Sequence, residues 1–314
     1  MGYASSFSVV MLIIVSVLLY FYGRISKQAE RYATITGKGY RPRVLRLGRW
    51  RKWCSLIIVV NFLLVLFLPL CAMVWIASLR FLQPMRPGAL KTLTSHNFET
   101  VLTSPYYYGL VINTLIVAAA AATVTMLLTF VAGWLAARRR RWGQTIDQLV
   151  AVPLIFPGIV LGVALLELAL GMPFPLYGTL WVLMLAFVIH YMPFGMRYTY
   201  SGVLQVHTEL EQAAAVSGAN TREAMTRVIA PLLAPALASG WLFIFLLASK
   251  EMSLPLLLAG PRSQTIAVAM FDLWGNGQLG EVAALGLLWA GLMTVVGSAF
   301  YVFSRRQSAA TFGG

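Results

Sequence analysis

The stretch ELEQAAAVSGANTREAMTRVIAPLLAP, residues 209–235, is a polar segment between two apolar runs of a mostly apolar chain. Three consecutive alanines at 213–215 favour a helix and leave one side of it almost without side-chain bulk. Gly218 can adopt the left-handed conformation that ends a helix. Asn220, with Glu223 three residues later, predicts the start of a second short helix. Pro231 suits the first turn of the apolar helix that follows, where its missing N–H costs nothing.

A bare alanine face beside a tight turn lets another protein approach the backbone closely, so residues 205–231 are predicted to form a docking loop. The alternative is an ordinary amphipathic loop between membrane spans. The segment resembles the cytoplasmic coupling loop of binding-protein-dependent ABC importer permeases. That pattern reads Glu-Ala-Ala, three residues, Gly, nine residues, Ile, one residue, Leu-Pro. Aligned on Gly218, the matching positions are Ala213, Ala214 and Pro231, and the departures are Gln212, Val228 and Ala230. Glu211, one position upstream, is an alternative source of the carboxylate.

The composition is typical of an integral membrane protein, because 59% of the 314 residues are hydrophobic and 11% are charged. A net charge of +14 would otherwise indicate a nucleic-acid partner. Here the basic residues lie in the turns between apolar runs, so no nucleic-acid partner is expected. The chain has no HExxH motif, no P-loop and no metal-binding cysteine spacing. It is therefore predicted not to be an enzyme and to bind no cofactor or metal.

Seven apolar runs are long enough to cross a bilayer as helices. Nineteen of the 24 Lys and Arg residues fall in turns that lie on one side if the runs alternate in direction. The excess of positive charge marks the cytoplasmic side. The N-terminus is therefore predicted outside, with the C-terminus and the loop 205–231 inside. The predicted spans are 7–22, 54–78, 110–136, 149–170, 177–194, 232–248 and 282–303.

Polar or helix-breaking residues within spans are candidates for a transport pathway. Pro153 and Pro157 each remove a backbone hydrogen bond, so the span 149–170 should bend or break. That break either lines the pathway or is a packing kink. Lys250 and Glu251 are predicted at the outer end of the span that follows Pro231. One interpretation places them in the outer mouth of the pathway. Three further ionisable residues are candidates, Glu167, His190 and Asp272, and the first two are predicted near span ends.

Further segments resemble the ferric-iron-type group of ABC importer permeases. They are LYGTLWVL at 176–183, LQVHTELE at 204–211 and FDLWGNGQLGEVAALG at 271–286. The basic segment 31–50 resembles the linker that joins the two halves of fused permeases in that group. The resemblance implies an all-helical permease in the bacterial inner membrane. It also implies cytoplasmic ATPase partners that hold ATP and magnesium, a periplasmic binding protein, and a small solute such as ferric iron.

The resemblance divides the chain into a helix at 1–22, a basic cytoplasmic linker at 23–53, a six-helix permease domain at 54–306 and a tail at 307–314. The first helix resembles the last helix of an N-terminal half. The chain is thus expected to be a C-terminal half that needs a second permease chain, or a second copy, to complete a pathway. The alternatives are a permease for another small solute, an ion-coupled secondary transporter and a membrane enzyme. A secondary transporter should show internal repeats and a charged midplane site.

The predicted topology can be tested by cysteine labelling in a variant with Cys54 and Cys71 replaced by serine. A cysteine at Gly88 should react with an impermeant maleimide added to intact cells, because it lies on the predicted outer side. A cysteine at Asn220 should react only after the membrane is permeabilised. Equal labelling of both positions in intact cells would contradict the seven-span arrangement.

Overall fold

A computed structural model describes residues 48–312 of the chain except 82, 84–86 and 139. The described residues are helical throughout, apart from loops and a single antiparallel bridge between Leu79 and Leu93. This confirms the all-α fold. The predicted first span, 7–22, and most of the predicted linker lie outside the described residues.

The thirteen α-helices of the described residues are numbered in chain order. Short 3₁₀ or π segments adjoin several of them. Their bounds are α1 Arg51–Phe62, α2 Leu68–Ala77, α3 His96–Thr103, α4 Pro105–Arg138, α5 Arg140–Ala151, α6 Gly158–Gly171, α7 Leu180–Gln205, α8 Thr208–Val216, α9 Thr221–Glu223, α10 Ala230–Ala248, α11 Ser253–Leu258, α12 Ile266–Gly275 and α13 Leu279–Phe312.

Five helices of the described part are long and apolar enough to cross a membrane, and a bent pair brings the number to six. These elements coincide with the six spans predicted after residue 53. The fifth predicted span, 177–194, is shorter than its helix, because α7 continues to Gln205. The helix accommodates Pro193. The elements are Gly48–Ala77, Pro105–Arg138, the pair Thr145–Ile155 and Gly158–Gly171, Leu180–Gln205, Thr221–Ala248 and Leu279–Val302.

The described residues divide into two compact units. The smaller unit contains residues 48–99 and 279–287. Its helix α1 has no buried residue, and Ala77 is the buried residue of α2. The turn after α2 is held by Asn97, whose side-chain amide donates to the carbonyls of Ala77 and Leu79 at 2.9 and 2.8 Å. This buried amide fixes the start of α3 against the end of α2.

The larger unit contains residues 100–278 and 288–312 and is built on α4, α7 and α10. Its core buries small residues of α4 such as Ala118 and Ala121 together with Phe187 of α7 and Ile244 of α10. Small residues let helix backbones approach closely, which is the usual way in which membrane helices pack. One such close approach is at Gly133 of α4, where an added Cβ would lie 2.6 Å from the Thr199 hydroxyl of α7.

Replacing Gly133 by valine should therefore destabilise the contact between α4 and α7. Overpacking of this kind typically costs about 1–3 kcal/mol. The measurement is the midpoint of thermal unfolding of the detergent-solubilised protein. Gly109→Val on the same helix is the matched control, because nothing lies within 4 Å of a Cβ added there. Equal midpoints for the two variants would contradict the packing described above.

Candidate functional site

The predicted docking loop is a helix–turn–helix. Its first helix, α8, ends in a glycine turn in which Gly218 has a φ of 87°. The Gly218 N–H donates to the Ala215 carbonyl, and the Ala219 N–H donates to the Ala214 carbonyl, both at 3.0 Å. These two bonds form the Schellman pattern that satisfies the last carbonyls of a helix. The predicted helix end at Gly218 is confirmed.

The second helix of the loop begins at Asn220, as predicted from the capping-box spacing. The Asn220 side chain accepts from the Glu223 N–H at 2.9 Å, and the Glu223 carboxylate accepts from the Asn220 N–H at 3.0 Å. A π-helical segment, Ala224–Ile229, then leads without a break into α10, which carries Pro231 in its first turn. Proline cannot donate a helical hydrogen bond, and π-type turns often occur where a helix adapts to such a residue.

Glu211 points toward the membrane helices and ties α8 to the last turns of α4. One carboxylate oxygen lies 2.6 Å from Arg138 Nε, and the other accepts from the indole N–H of Trp134 at 3.3 Å. Arg138 also donates to the Val206 carbonyl at 2.8 Å, just before α8. The side chains of Arg138 and Glu211 are 13% and 18% exposed. This nearly buried network holds the first helix of the loop in one position.

Glu211 is a predicted residue of the loop, whereas its partners Trp134 and Arg138 were not predicted. Their spacing of four residues places both on one face of α4, which is the available sequence signal. The pairing with Glu211 follows from the fold, since 73 residues separate Arg138 from its partner. The carboxylate at position 211 is therefore engaged within the chain, whereas Gln212 is exposed.

The outward face of α8 differs in part from the predicted alanine face. Gln212 and Ala213 are exposed, but Ala214 is half-buried on the side of Glu211. Val216 is 90% exposed and was not predicted as part of the face. Glu209, Ala213 and Val216 follow helical spacing and point away from Glu211. We call the exposed set Glu209, Gln212, Ala213 and Val216 the outer face of α8.

A small apolar cluster joins the loop to α7 and α10. Val203 at the end of α7, Ile229 and Leu233 are buried together, with Trp134 and Met225 packed against them. Trp134 thus contacts both the apolar cluster and the Glu211 carboxylate. The loop is thus held to α4 through Trp134 and to α7 and α10 through the apolar cluster.

The predicted break at Pro153 and Pro157 is confirmed. Pro153 lies in a 3₁₀ turn, Val152–Ile155, and Pro157 precedes the first residue of α6. The helices on the two sides of this break meet at 99°. The predicted role of the two prolines in a pathway stays a prediction.

Glu251 lies in the short loop between α10, which ends at Ala248, and α11. Its carboxylate accepts from the Tyr191 hydroxyl at 3.1 Å and from the Ser253 N–H at 2.8 Å. Tyr191 is about 17 Å along α7 from Leu180 and about 21 Å from its other end, at ~1.5 Å per residue. The predicted place of Lys250 and Glu251 at the outer mouth stays a prediction. Lys250 is exposed.

His190 precedes Tyr191 in the middle third of α7, and the ring centroids of the two residues are 5.0 Å apart. Its place near the end of a membrane span stays a prediction. Glu167 is exposed on α6.

Comparison with known proteins shows the family of the chain. Residues 129–309 match the family model described as "Binding-protein-dependent transport system inner membrane component". The chain belongs to this family. The matched region contains the docking loop, the break at Pro157 and the residues around Glu251.

Three relatives of this inner membrane component carry different names. The ferric transport system permease protein FbpB of Actinobacillus pleuropneumoniae is 25% identical over 91% of this chain and 42% of its own length. The putrescine permease PotI of Escherichia coli K12 is 27% identical over 54% of this chain and 62% of its own length. A putative 2-aminoethylphosphonate permease, PhnV of Salmonella typhimurium, is 24% identical over 49% of this chain and 60% of its own length. The chain thus spans less than two thirds of each.

Solved structures support the same fold. A chain of a bacterial ABC transporter involved in import of the polysaccharide alginate matches with a TM-score of 0.65 at 15% identity, over 82% of this chain and 96% of that chain. A chain of the MetNI methionine ABC transporter matches with a TM-score of 0.51 at 15% identity, over 65% and 99% of the two chains. These solved chains therefore share the fold of this chain although their sequence identity to it is low.

The network around Glu211 predicts a measurable coupling in stability. Glu211→Ala and Arg138→Ala should each lower the free energy of unfolding by about 1–3 kcal/mol, because each leaves a charged partner unsatisfied. The double variant should lose less than the sum of the two. The measurement is a double-mutant cycle on thermal midpoints in detergent. Glu209→Ala is the control, because its contact to His207 spans 3.5 Å between side chains that are 79% and 72% exposed. Strict additivity would mean that the ion pair contributes nothing.

Proposed function

We propose that the chain is a membrane-spanning permease subunit of an ATP-driven importer, and that the outer face of α8 docks on a cytoplasmic ATPase subunit. The observation that carries this proposal is a short helix with a bare outer face, anchored rigidly through Glu211 to a membrane-spanning helix. An ATPase that moves α8 would then move α4 directly. The family match supports a transport role, and ATP hydrolysis belongs to the partner.

The remaining partners follow from the same proposal. The chain covers less than half of the ferric permease, so a second permease half completes the pathway, either as another chain or as a second copy. A periplasmic binding protein delivers the solute. One similar structure is an alginate transporter in complex with a periplasmic protein, matching with a TM-score of 0.61 at 14% identity. The predicted orientation, with the docking loop in the cytoplasm, fits this arrangement.

For the solute, we propose a small molecule that carries positive charge. Ferric iron is one candidate, because the ferric permease aligns along most of this chain. An organic amine is the second, because the putrescine and 2-aminoethylphosphonate permeases are also relatives of this chain. The described residues contain no group of three or more His, Cys, Asp or Glu side chains that could hold a metal ion. Selection of ferric iron would therefore belong to the binding protein.

Docking is tested by adding bulk to the outer face of α8. Ala213→Trp and Val216→Trp should abolish co-purification of the ATPase and solute uptake, because neither side chain has a role inside the permease. Both variants should accumulate in the membrane at the wild-type level. The measurements are affinity pull-down of the ATPase and uptake into vesicles at matched permease amounts.

Two further variants complete this test. Thr208→Trp, at the other end of the same helix, is the matched control and should retain ATPase binding. Gly218→Val should also lose binding, since a φ of 87° is costly for a residue with a side chain. No atom lies within 4 Å of a Cβ at this position, so the defect would come from the turn itself. Normal ATPase binding by both tryptophan variants at 213 and 216 would show that α8 is not the docking element.

A further inference from the structure

A polar cluster in the middle of the larger unit has no role in docking. It consists of Glu251, Tyr191, His190 and Ser253, and we call it the Glu251 cluster. Its neighbours on α7 are apolar, with Phe187 and Phe194 in ring contact with Tyr191. Ionisable groups at membrane depth are costly and usually mark a path for ions or solutes. The cluster therefore requires an explanation beyond packing.

The carboxylate of Glu251 has no cationic partner in the part of the chain that the structure describes. The ion pairs Arg138–Glu211 and His207–Glu209 do not include it. Glu251 accepts hydrogen bonds from one hydroxyl and one backbone N–H, which are neutral donors. A carboxylate whose donors are neutral can attract a cation that enters the site.

His190 adds an unused polar atom to the same place. Its Nδ1 is buried and has no hydrogen-bond partner. The imidazole contacts the ring of Tyr191, whose hydroxyl donates to Glu251. Buried polar atoms without a partner are rare in folded proteins and call for a specific explanation. A neutral imidazole can accept a hydrogen bond from a solute through this atom.

The cluster lies at the break of the bent helix pair. A Cβ added at Gly158, the first residue of α6, would lie 3.3 Å from the Cβ of Ser253 and 3.9 Å from the Cε1 of His190. The start of α11 and the start of α6 therefore meet beside His190. Broken helices in membrane proteins are tolerated where they line a cavity or are buried in protein, and transporters place solute sites there. Glu251 is itself half-buried.

We propose that the Glu251 cluster is a contact site for the ammonium group of a solute that crosses the membrane through this permease. The carboxylate supplies charge, and the Tyr191 oxygen and His190 Nδ1 supply further acceptors for N–H donors. An ammonium group fits better than a metal ion, which would need several closely spaced ligands. The proposal rests on the proposed transport function and narrows its substrate class to organic amines.

The test uses charged thiol reagents, so it does not require the natural solute. Ser253→Cys is made in a full-length chain with Cys54 and Cys71 replaced by serine, in vesicles of both orientations. The probes are trimethylammonium-ethyl and sulfonato-ethyl methanethiosulfonate, and each rate is divided by its rate with a free thiol. We expect the cationic reagent to be favoured by roughly tenfold or more, as for a nearby unit charge in a partly hydrated site.

Two variants assign this preference to the carboxylate. Glu251→Gln in the same background should bring the ratio close to one, because it keeps the shape of the side chain and removes the charge. Glu167→Gln, an exposed carboxylate on α6, is the matched control and should leave the ratio unchanged. A ratio near one with Glu251 present, an effect of Glu167→Gln equal to that of Glu251→Gln, or no reaction of the introduced thiol from either side would overturn the proposal.

A protection experiment separates ammonium from a metal cation and from simple screening. Excess putrescine should slow labelling of the introduced thiol more than magnesium chloride or sodium chloride at equal ionic strength. Equal slowing by all three salts would contradict an ammonium site. Because labelling does not depend on the ATPase, a normal charge preference combined with failed docking would remove the proposed function while leaving the site. Normal docking combined with no charge preference would contradict the Glu251 site and leave the proposed function in place.

Discussion

The contact between Glu211 and Arg138 determines how the polar loop of this protein is connected to its membrane helices. A charged pair that is nearly buried is expensive to break, because the remaining charge would be left without a partner. Trp134 strengthens the arrangement by donating to the same carboxylate and by packing on the apolar cluster under the loop. A force on α8 is therefore delivered to α4, whereas the exposed side of α8 remains available to a partner.

Helix α4 can deliver that movement because it packs closely along α7. The contact is made by alanines, glycines and threonines, which bring the backbones together and leave little room for sliding. Thr129 and Thr199 satisfy their hydroxyls on carbonyls of their own helices, so they add no cost to this apolar contact. The same close packing fixes the positions of His190 and Tyr191 on α7 relative to the loop. The docking loop and the Glu251 cluster are thus parts of one packed unit.

The polar groups of the larger unit are concentrated where helices break. Asn113 donates to the carbonyls of Arg262 and Gln264, and the Thr114 hydroxyl accepts from the Ile266 N–H. These bonds satisfy backbone groups of the irregular chain before α12. An apolar environment would offer those groups no hydrogen-bond partner. Glu251 performs the same task at the start of α11, where its carboxylate accepts from the Ser253 N–H. A neutral acceptor would suffice there, so a purely structural role leaves the choice of a carboxylate unexplained.

The sequence by itself determined the all-helical membrane class, six spans, the glycine turn at Gly218 and the capping box at Asn220. These features depend on local composition and on residues three or four apart, which the chain displays directly. Tertiary structure alone decided that Glu211 faces inward, that Val216 is exposed and that Glu251 meets Tyr191. Such contacts join residues as many as 77 positions apart. Tertiary structure also decided that α7 continues through Pro193 to Gln205, because the cost of a missing hydrogen bond depends on the neighbours that can offset it.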